Sequence, residues 1–243
     1  MISPALKTDR REVEAVITDC TGKSCAVVLS SELLTSTHKG TGGFASAHLG
    51  KIPEVQAAIQ AREDRQVGEL PPWLWIVNDL VFSSAYTRSD RQSFIDVCCH
   101  EASHHLTWDL TPIPIETNSY DIALTTEAIN TEIEQWPWLK DAPCWHGHGH
   151  EFVRSVFHLA QRMGDRGFPV DWVSPGGVIP WGVYRYGCPI AFGSTMRREI
   201  LRNAHRPIRE VLATPAPRGL VRHWLQQVDP SLSVCVAKQK GSA

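Results

Sequence analysis

The sequence predicts an α+β fold: a small mixed sheet, a long capped helix and a helical C-terminal extension. Three observations carry this. Short runs of apolar and β-branched residues, bounded by turn residues, fall before residue 86. Longer segments with apolar residues three and four apart follow them. The end of the chain turns basic, with seven Arg against two Glu over residues 196–223. The 243 residues, 42% apolar and 21% charged, are enough for one sizeable core, and they exclude disordered, collagen-like and coiled-coil chains. The expected organisation is a main domain over 1–190, interrupted by an acidic insertion at about 109–141, and a basic extension over 191–243.

Taken in order, Val13 to Thr18 and Ala26 to Leu29 read as strands joined by the turn Thr21-Gly22-Lys23-Ser24. Gly22-Lys23-Ser24 mimics the end of a phosphate loop, but the glycine required five residues earlier is Ile17. Gly40 to Gly43 is a glycine-rich loop leading into a short strand, Phe44 to Leu49. Pro53 opens a helix from about Glu54 to Gln66, with Val55, Ala58, Ile59 and Arg62 at helical spacing. Gly68 and Pro71-Pro72 end it. Trp73 to Val77 reads as a strand, and Val81 to Ala85 as a second strand or a loop. Ser89 to Gln92 is a capping-box pattern that launches a helix through about Thr107. Asp121 to Gln135 reads as a helix, and Trp181 to Tyr186 as a strand. His150 to Met163 is a helix with Phe152, Val156, Leu159 and Met163 on one face, stopped by Gly164 and Gly167. A basic helical tail starts near Thr195, where Ile200, Leu201, Ile208, Val211 and Leu212 are expected to bury one face.

The net charge of −2 excludes a chain that is polyanion-binding as a whole. That average hides seven acids against one lysine over residues 109–141 and the Arg excess over 196–223. The Arg-rich segment is a candidate contact for nucleic-acid phosphates or an acidic partner. Seven cysteines, an odd number with no Cys-x-x-Cys pair, argue against a disulfide framework and a cysteine-rich zinc ribbon. No apolar h-region follows the N-terminus and no run of 18 apolar residues exists. A cytoplasmic protein with reduced thiols and no membrane partner is expected.

The informative segment is His100-Glu101-Ala102-Ser103-His104, a His-Glu-x-x-His motif on the capped helix. Positions i and i+4 are offset by about 40° around the helix and about 6 Å along it. Both imidazoles therefore leave one face and can meet one Zn²⁺ at about 2.0–2.1 Å. Glu101 lies beside that face, within reach of a water on the metal, the place of a general base in zinc hydrolysis. Phe94, Cys98, Ala102 and Leu106 would supply the buried face. With 11 His in 243 residues, about 0.03 chance matches are expected. A catalytic zinc needs a third protein ligand and an open position. The extended metzincin motif would need Gly at 107 and His at 110, where Thr107 and Leu110 stand. Glu127, Glu132 and Glu134 are available. The better source is Trp145-His146-Gly147-His148-Gly149-His150-Glu151-Phe152, three histidines alternating with glycines just before a helix.

His-Glu-x-x-His followed by His148-Gly149-His150-Glu151-Phe152 at a helix start resembles the SprT-like (Spartan-type) zinc metallopeptidases. The likeness spans roughly residues 70–165. It implies His100, His104 and His148 as metal ligands, Glu101 as catalytic base, Zn²⁺ as cofactor, a zincin-like core, and peptide-bond hydrolysis of a protein or peptide substrate. It also implies Trp73 to Asn78 as the strand preceding the active-site helix. The connection from His104 to His148 is long for the family, and the family's C-terminal zinc ribbon is absent. Substrate backbone could join an upstream strand, either Phe44 to Leu49 or Trp73 to Val77. Candidates for transition-state stabilisation are His150, Tyr184 and Tyr186, and Trp136, Trp138 and Trp145 could line a cleft. Two alternative readings are a non-catalytic zincin-like scaffold binding protein or nucleic acid through the Arg-rich tail, and a zinc hydrolase of non-peptide amides.

Overall fold

A computed structural model describes residues 2–33, 43–45, 49–62, 70–110, 150–171 and 189–219. Within them the chain is a mixed α+β structure built on a three-stranded sheet. The expected Asp121–Gln135 helix and Trp181–Tyr186 strand lie outside the described residues.

Helix α1 runs from Pro4 to Thr21, so the expected strand Val13–Thr18 is in fact helix. Its β-branched residues suggest a strand locally, but Leu6, Val13, Ile17 and Cys20 fall on one buried helical face. Packing of that face overrides local preference. Pro4 opens the helix, and Gly22, at φ 69°, closes it in the left-handed conformation that glycine tolerates. The predicted hairpin turn at Gly22 is therefore a helix-to-strand corner.

Strand β1 is Cys25–Leu29, β2 is Gly43–Ala45 and β3 is Trp73–Val77. Their order is β1-β3-β2, with β1 parallel to β3 and β2 antiparallel to it. The parallel register, Cys25 opposite Trp73 through Leu29 opposite Val77, rules out a β1 hairpin. The short strand expected over Phe44–Leu49 is confined to Gly43–Ala45, and Leu49–Lys51 is a 3₁₀ turn. Helix α2, Pro53–Gln60, ends earlier than its apolar spacing suggested. Asp79–Val81 is a 3₁₀ turn with Leu80 and Val81 exposed, so no strand forms at Val81.

The sheet is buried on both faces, and its alternation sorts the core. Val27, Leu29, Trp73, Trp75 and Val77 join α1 and the later helices in the larger cluster. Ala26, Val28, Leu74 and Ile76 face α2 through Val55 and Ile59. Strand β1 has its outer edge closed by side chains. Val27 N–H donates to Glu14 at 2.8 Å, and Arg62 donates to Val27 C=O at 3.2 Å while pairing with Glu14 at 2.6 Å. These side chains occupy backbone groups that another strand could otherwise take.

Helix α3 spans Arg88–Leu110. Its cap sits two residues before the predicted one. Thr87 Oγ1 accepts from Asp90 N–H at 3.3 Å, and Asp90 accepts from Thr87 N–H at 2.7 Å. Helix α4, His150–Gly164, buries Phe152, Val156, Leu159 and Met163 as its spacing predicts. Helices α5, Pro189–Asn203, and α6, Ile208–Leu212, bury Ile200, Ile208, Val211 and Leu212. Leu201, expected on that buried face, is instead 68% exposed. Buried Arg154 of α4 binds Glu199 of α5 at 2.6 Å and the C=O of Val211 in α6 at 3.0 Å, tying the basic helices to the core. Among the described residues no helix is long and apolar enough to cross a membrane.

Candidate metal centre

Helix α3 carries the His-Glu-x-x-His segment past the sheet and against α4. Its rear face is set by Phe94, Cys98, Ala102 and Leu106, all fully buried. His105 fixes the rotation further, donating from Nε2 to Leu74 C=O on the central strand at 2.8 Å. Its ring stacks on Trp73 at 5.5 Å and 14°. With α3 pinned this way, His100, Glu101 and His104 turn together to one side.

The i, i+4 spacing produces the expected juxtaposition. The His100 and His104 rings lie 5.0 Å apart, centroid to centroid, at 74°. One donor atom from each of His100, Glu101 and His104 lies within 4.8 Å of the others. Among the described residues this is the group of His, Cys, Asp and Glu side chains able to hold a metal. His100 is half-buried, and Glu101 and His104 are buried.

Phe152, on the first turn of α4, closes the cluster from the other side. Its ring lies 4.4 Å from that of His104 and 5.0 Å from that of His100, and it is fully buried. Both motifs therefore meet in space through Phe152. His148 and His146 lie outside the described residues, and so do Glu127, Glu132, Glu134, Trp136, Trp138, Trp145, Tyr184 and Tyr186. His150 heads α4.

Glu101 is held by strand β2. Its carboxylate accepts a hydrogen bond from the backbone N–H of Ala45, which lowers its pKa, but burial dominates and pushes it up to about 8. Among the described residues no cationic side chain offsets that burial. A divalent cation between the imidazoles would supply the missing positive charge. Two imidazole nitrogens beside a buried carboxylate also form a donor set that zinc accepts. The residues present thus fit the metal their pattern implies.

The close approach of β2 to α3 depends on Gly43. A Cβ built there would sit 2.5 Å from Val97 Cγ1 and 2.7 Å from Glu101 Oε1. Only a residue without a side chain lets the strand lie against Glu101. Of the two strands considered for substrate, Trp73–Val77 is central and paired on both sides, so it has no edge to offer. Gly43–Ala45 is an edge strand, and among the described residues nothing pairs with its outer side.

Sequence reasoning missed Gly43, Ala45, His105 and Asp96 as parts of the site's support. Asp96 lies one helical turn before His100. It is buried, accepts from Gln92 at 2.8 Å and from Asp171 N–H at 2.8 Å, and burial pushes its pKa up to about 6. The glycine run before Phe44 was the one available signal for the β2 approach. No family model, curated protein or solved structure matches the chain.

Proposed function

We propose that the protein is a zinc-dependent metallopeptidase with a zincin-like core, hydrolysing peptide bonds with Glu101 as general base. The observation that carries this reading is the grouping of His100, Glu101 and His104 on one helix face, with the Glu101 carboxylate oriented by an edge strand. His100 and His104 would hold zinc through their ring nitrogens, with His148 as the third ligand implied by the second motif. Zinc, when bound, polarises the scissile carbonyl and acidifies water.

The chain's own groups do the rest. Glu101 takes a proton from the attacking water at a carboxylate oxygen and delivers it to the leaving amine, so water adds across the C–N bond. The N–H of Ala45 holds the carboxylate in register for both transfers. Phe152 packs on both imidazoles and shields them from solvent. An extended substrate would add to the outer edge of β2, where main-chain hydrogen bonds are indifferent to side-chain identity. The opposite edge, at β1, is closed by Glu14 and Arg62, which leaves β2 as the place for strand addition.

Metal analysis combined with Glu101→Gln tests this reading. The variant should keep about one zinc per chain and lose about a hundredfold or more in cleavage of an unfolded protein substrate. Wild-type protein that binds no metal would sink the site reading. Wild type that binds zinc but cleaves nothing would favour the scaffold reading, and unchanged activity in Glu101→Gln would remove its role as base.

A further inference from the structure

A cavity of about 740 Å³ lies between α1 and α2 beside the closed edge of β1. This is the edge of the sheet away from β2 and its contact with Glu101. Its lining is strongly basic: Lys7, Arg10 and Arg11 from α1 and Arg62 at the end of α2, with Glu32 as the one acid. Positions 7, 10 and 11 are three and four apart, so one helix face presents all three cations.

The ion pairs leave a surplus of positive charge. Arg62 is balanced by Glu14 and Arg10 by Glu32. Neither Lys7 nor Arg11 has a carboxylate partner among the described residues. Arg10 is the more telling residue. It is 4% exposed, yet only Nη1 engages Glu32, donating to both oxygens at 2.7 and 2.9 Å. Its Nε is shut off from solvent and has no hydrogen-bond partner among the described residues. Glu32 takes only Nη1, which leaves Nη2 as the donor that Arg10 can offer a carboxylate or phosphate.

Two further features bear on the ligand. Helix α1 begins at this cavity with no acidic residue in its first turn and no side-chain cap on its N–H groups, an end that favours an anion. Ile2, Pro4 and Ala58 give the cavity an apolar wall. An excess of two positive charges matches a phosphate dianion better than a monocarboxylate. The volume exceeds what a lone phosphate needs and falls in the range of small-molecule sites.

We propose that this cavity binds a small phosphate-bearing anion of pyrophosphate to nucleotide size. The phosphate sits against Arg10, Lys7, Arg11 and the start of α1, and any organic portion lies on the Ile2–Pro4–Ala58 wall. The site does not depend on the peptidase reading.

Isothermal titration of the full, zinc-loaded chain with inorganic phosphate, pyrophosphate and AMP tests it, with zinc content measured before and after. Saturable one-to-one binding of at least one probe is expected, with Kd below about 1 mM in physiological salt. The surface variant Lys7→Ala/Arg11→Ala, which touches no buried group, should weaken it about tenfold or more. Arg10→Lys keeps the charge, removes the Nη2 donor and should also weaken it. AMP binding tighter than both inorganic phosphate and pyrophosphate assigns the apolar wall a role; pyrophosphate binding at least as tight as AMP assigns recognition to the anion alone. Absence of saturable binding for all three probes up to about 10 mM overturns the proposal. So does binding that both variants leave unchanged.

Discussion

Replacing Gly43 with alanine tests whether the edge strand positions Glu101 for the proposed chemistry. The added Cβ would meet Val97 Cγ1 at 2.5 Å and Glu101 Oε1 at 2.7 Å, against an ordinary carbon contact of about 3.5–4.0 Å. Relief requires a movement of about 1 Å, by the strand or by the two side chains. Val97 belongs to α3, whose rear face is fully buried, so the helix yields less readily than a three-residue edge strand. Overpacking of this kind costs about 1–3 kcal/mol. In a domain of this size each kcal/mol lowers the unfolding midpoint by about 2–4 °C. Displacing β2 by about 1 Å also breaks the Ala45 N–H bond to Glu101, and misplacement on that scale costs about a hundredfold in rate. The expected phenotype is a folded protein with wild-type zinc content, a midpoint lowered by several degrees, and kcat/KM down about a hundredfold. The assays are metal analysis, thermal unfolding and steady-state cleavage. A variant with wild-type kcat/KM and an unchanged midpoint would refute the reasoning.

Three other expectations follow, two from the geometry and one from the second histidine motif. Burial raises the Asp96 pKa from 3.8 to about 6 in the fold, and like-charged Asp171 adds to it. Its stabilising effect is therefore complete below pH 3.8 and is lost as pH rises through about 6, a change of about 3 kcal/mol. Asp96→Asn should remove that part of the slope, so urea unfolding should find the variant gaining on wild type between pH 4.5 and 7.5; parallel curves would contradict it. Phe152→Leu keeps most of the buried volume but loses the ring against both imidazoles, and should weaken zinc binding about tenfold in a chelator competition. For the third ligand, His148→Ala should lower zinc affinity strongly and His146→Ala should not; the reverse result would move the ligand to His146.

How much of this was readable from the chain depended on the range of the interactions involved. The His100/His104 pair was legible because an α-helix converts a four-residue spacing directly into proximity. The buried faces of α3 and α4 followed from the same local geometry, and Phe152 was named by motif. Helix α1 was misread because Val13, Val16, Ile17 and Thr18 prefer extended backbone locally. Its real determinant is a face defined by Leu6, Val13, Ile17 and Cys20 against a distant core. The cap of α3 was placed two residues late because Ser89–Gln92 and Thr87–Asp90 both satisfy the pattern, and only the bonds from Asp90 to Thr87 and Ser83 choose between them. The β2 contact with Glu101 was beyond sequence reading, since a three-residue strand carries almost no periodicity. The partnership of Glu14 with Arg62 was equally hidden, because it joins residues 48 positions apart.

That separation has a consequence for the order in which the molecule acquires its properties. Strands β1 and β3 are parallel, so they can pair only after the whole crossover between them has folded back. Strand β2 has nothing to lie on until β3 is in place. The isolated α3 segment can bring His100 and His104 side by side at once, since that needs only local contacts. Glu101 gains its Ala45 partner and its seclusion from water only when three non-contiguous strands have assembled. A nascent or damaged chain thus carries the paired histidines without an oriented Glu101. Under the proposed chemistry, hydrolytic competence then reports completed topology, which spares the chain from attacking itself or its neighbours while it is still unfolded.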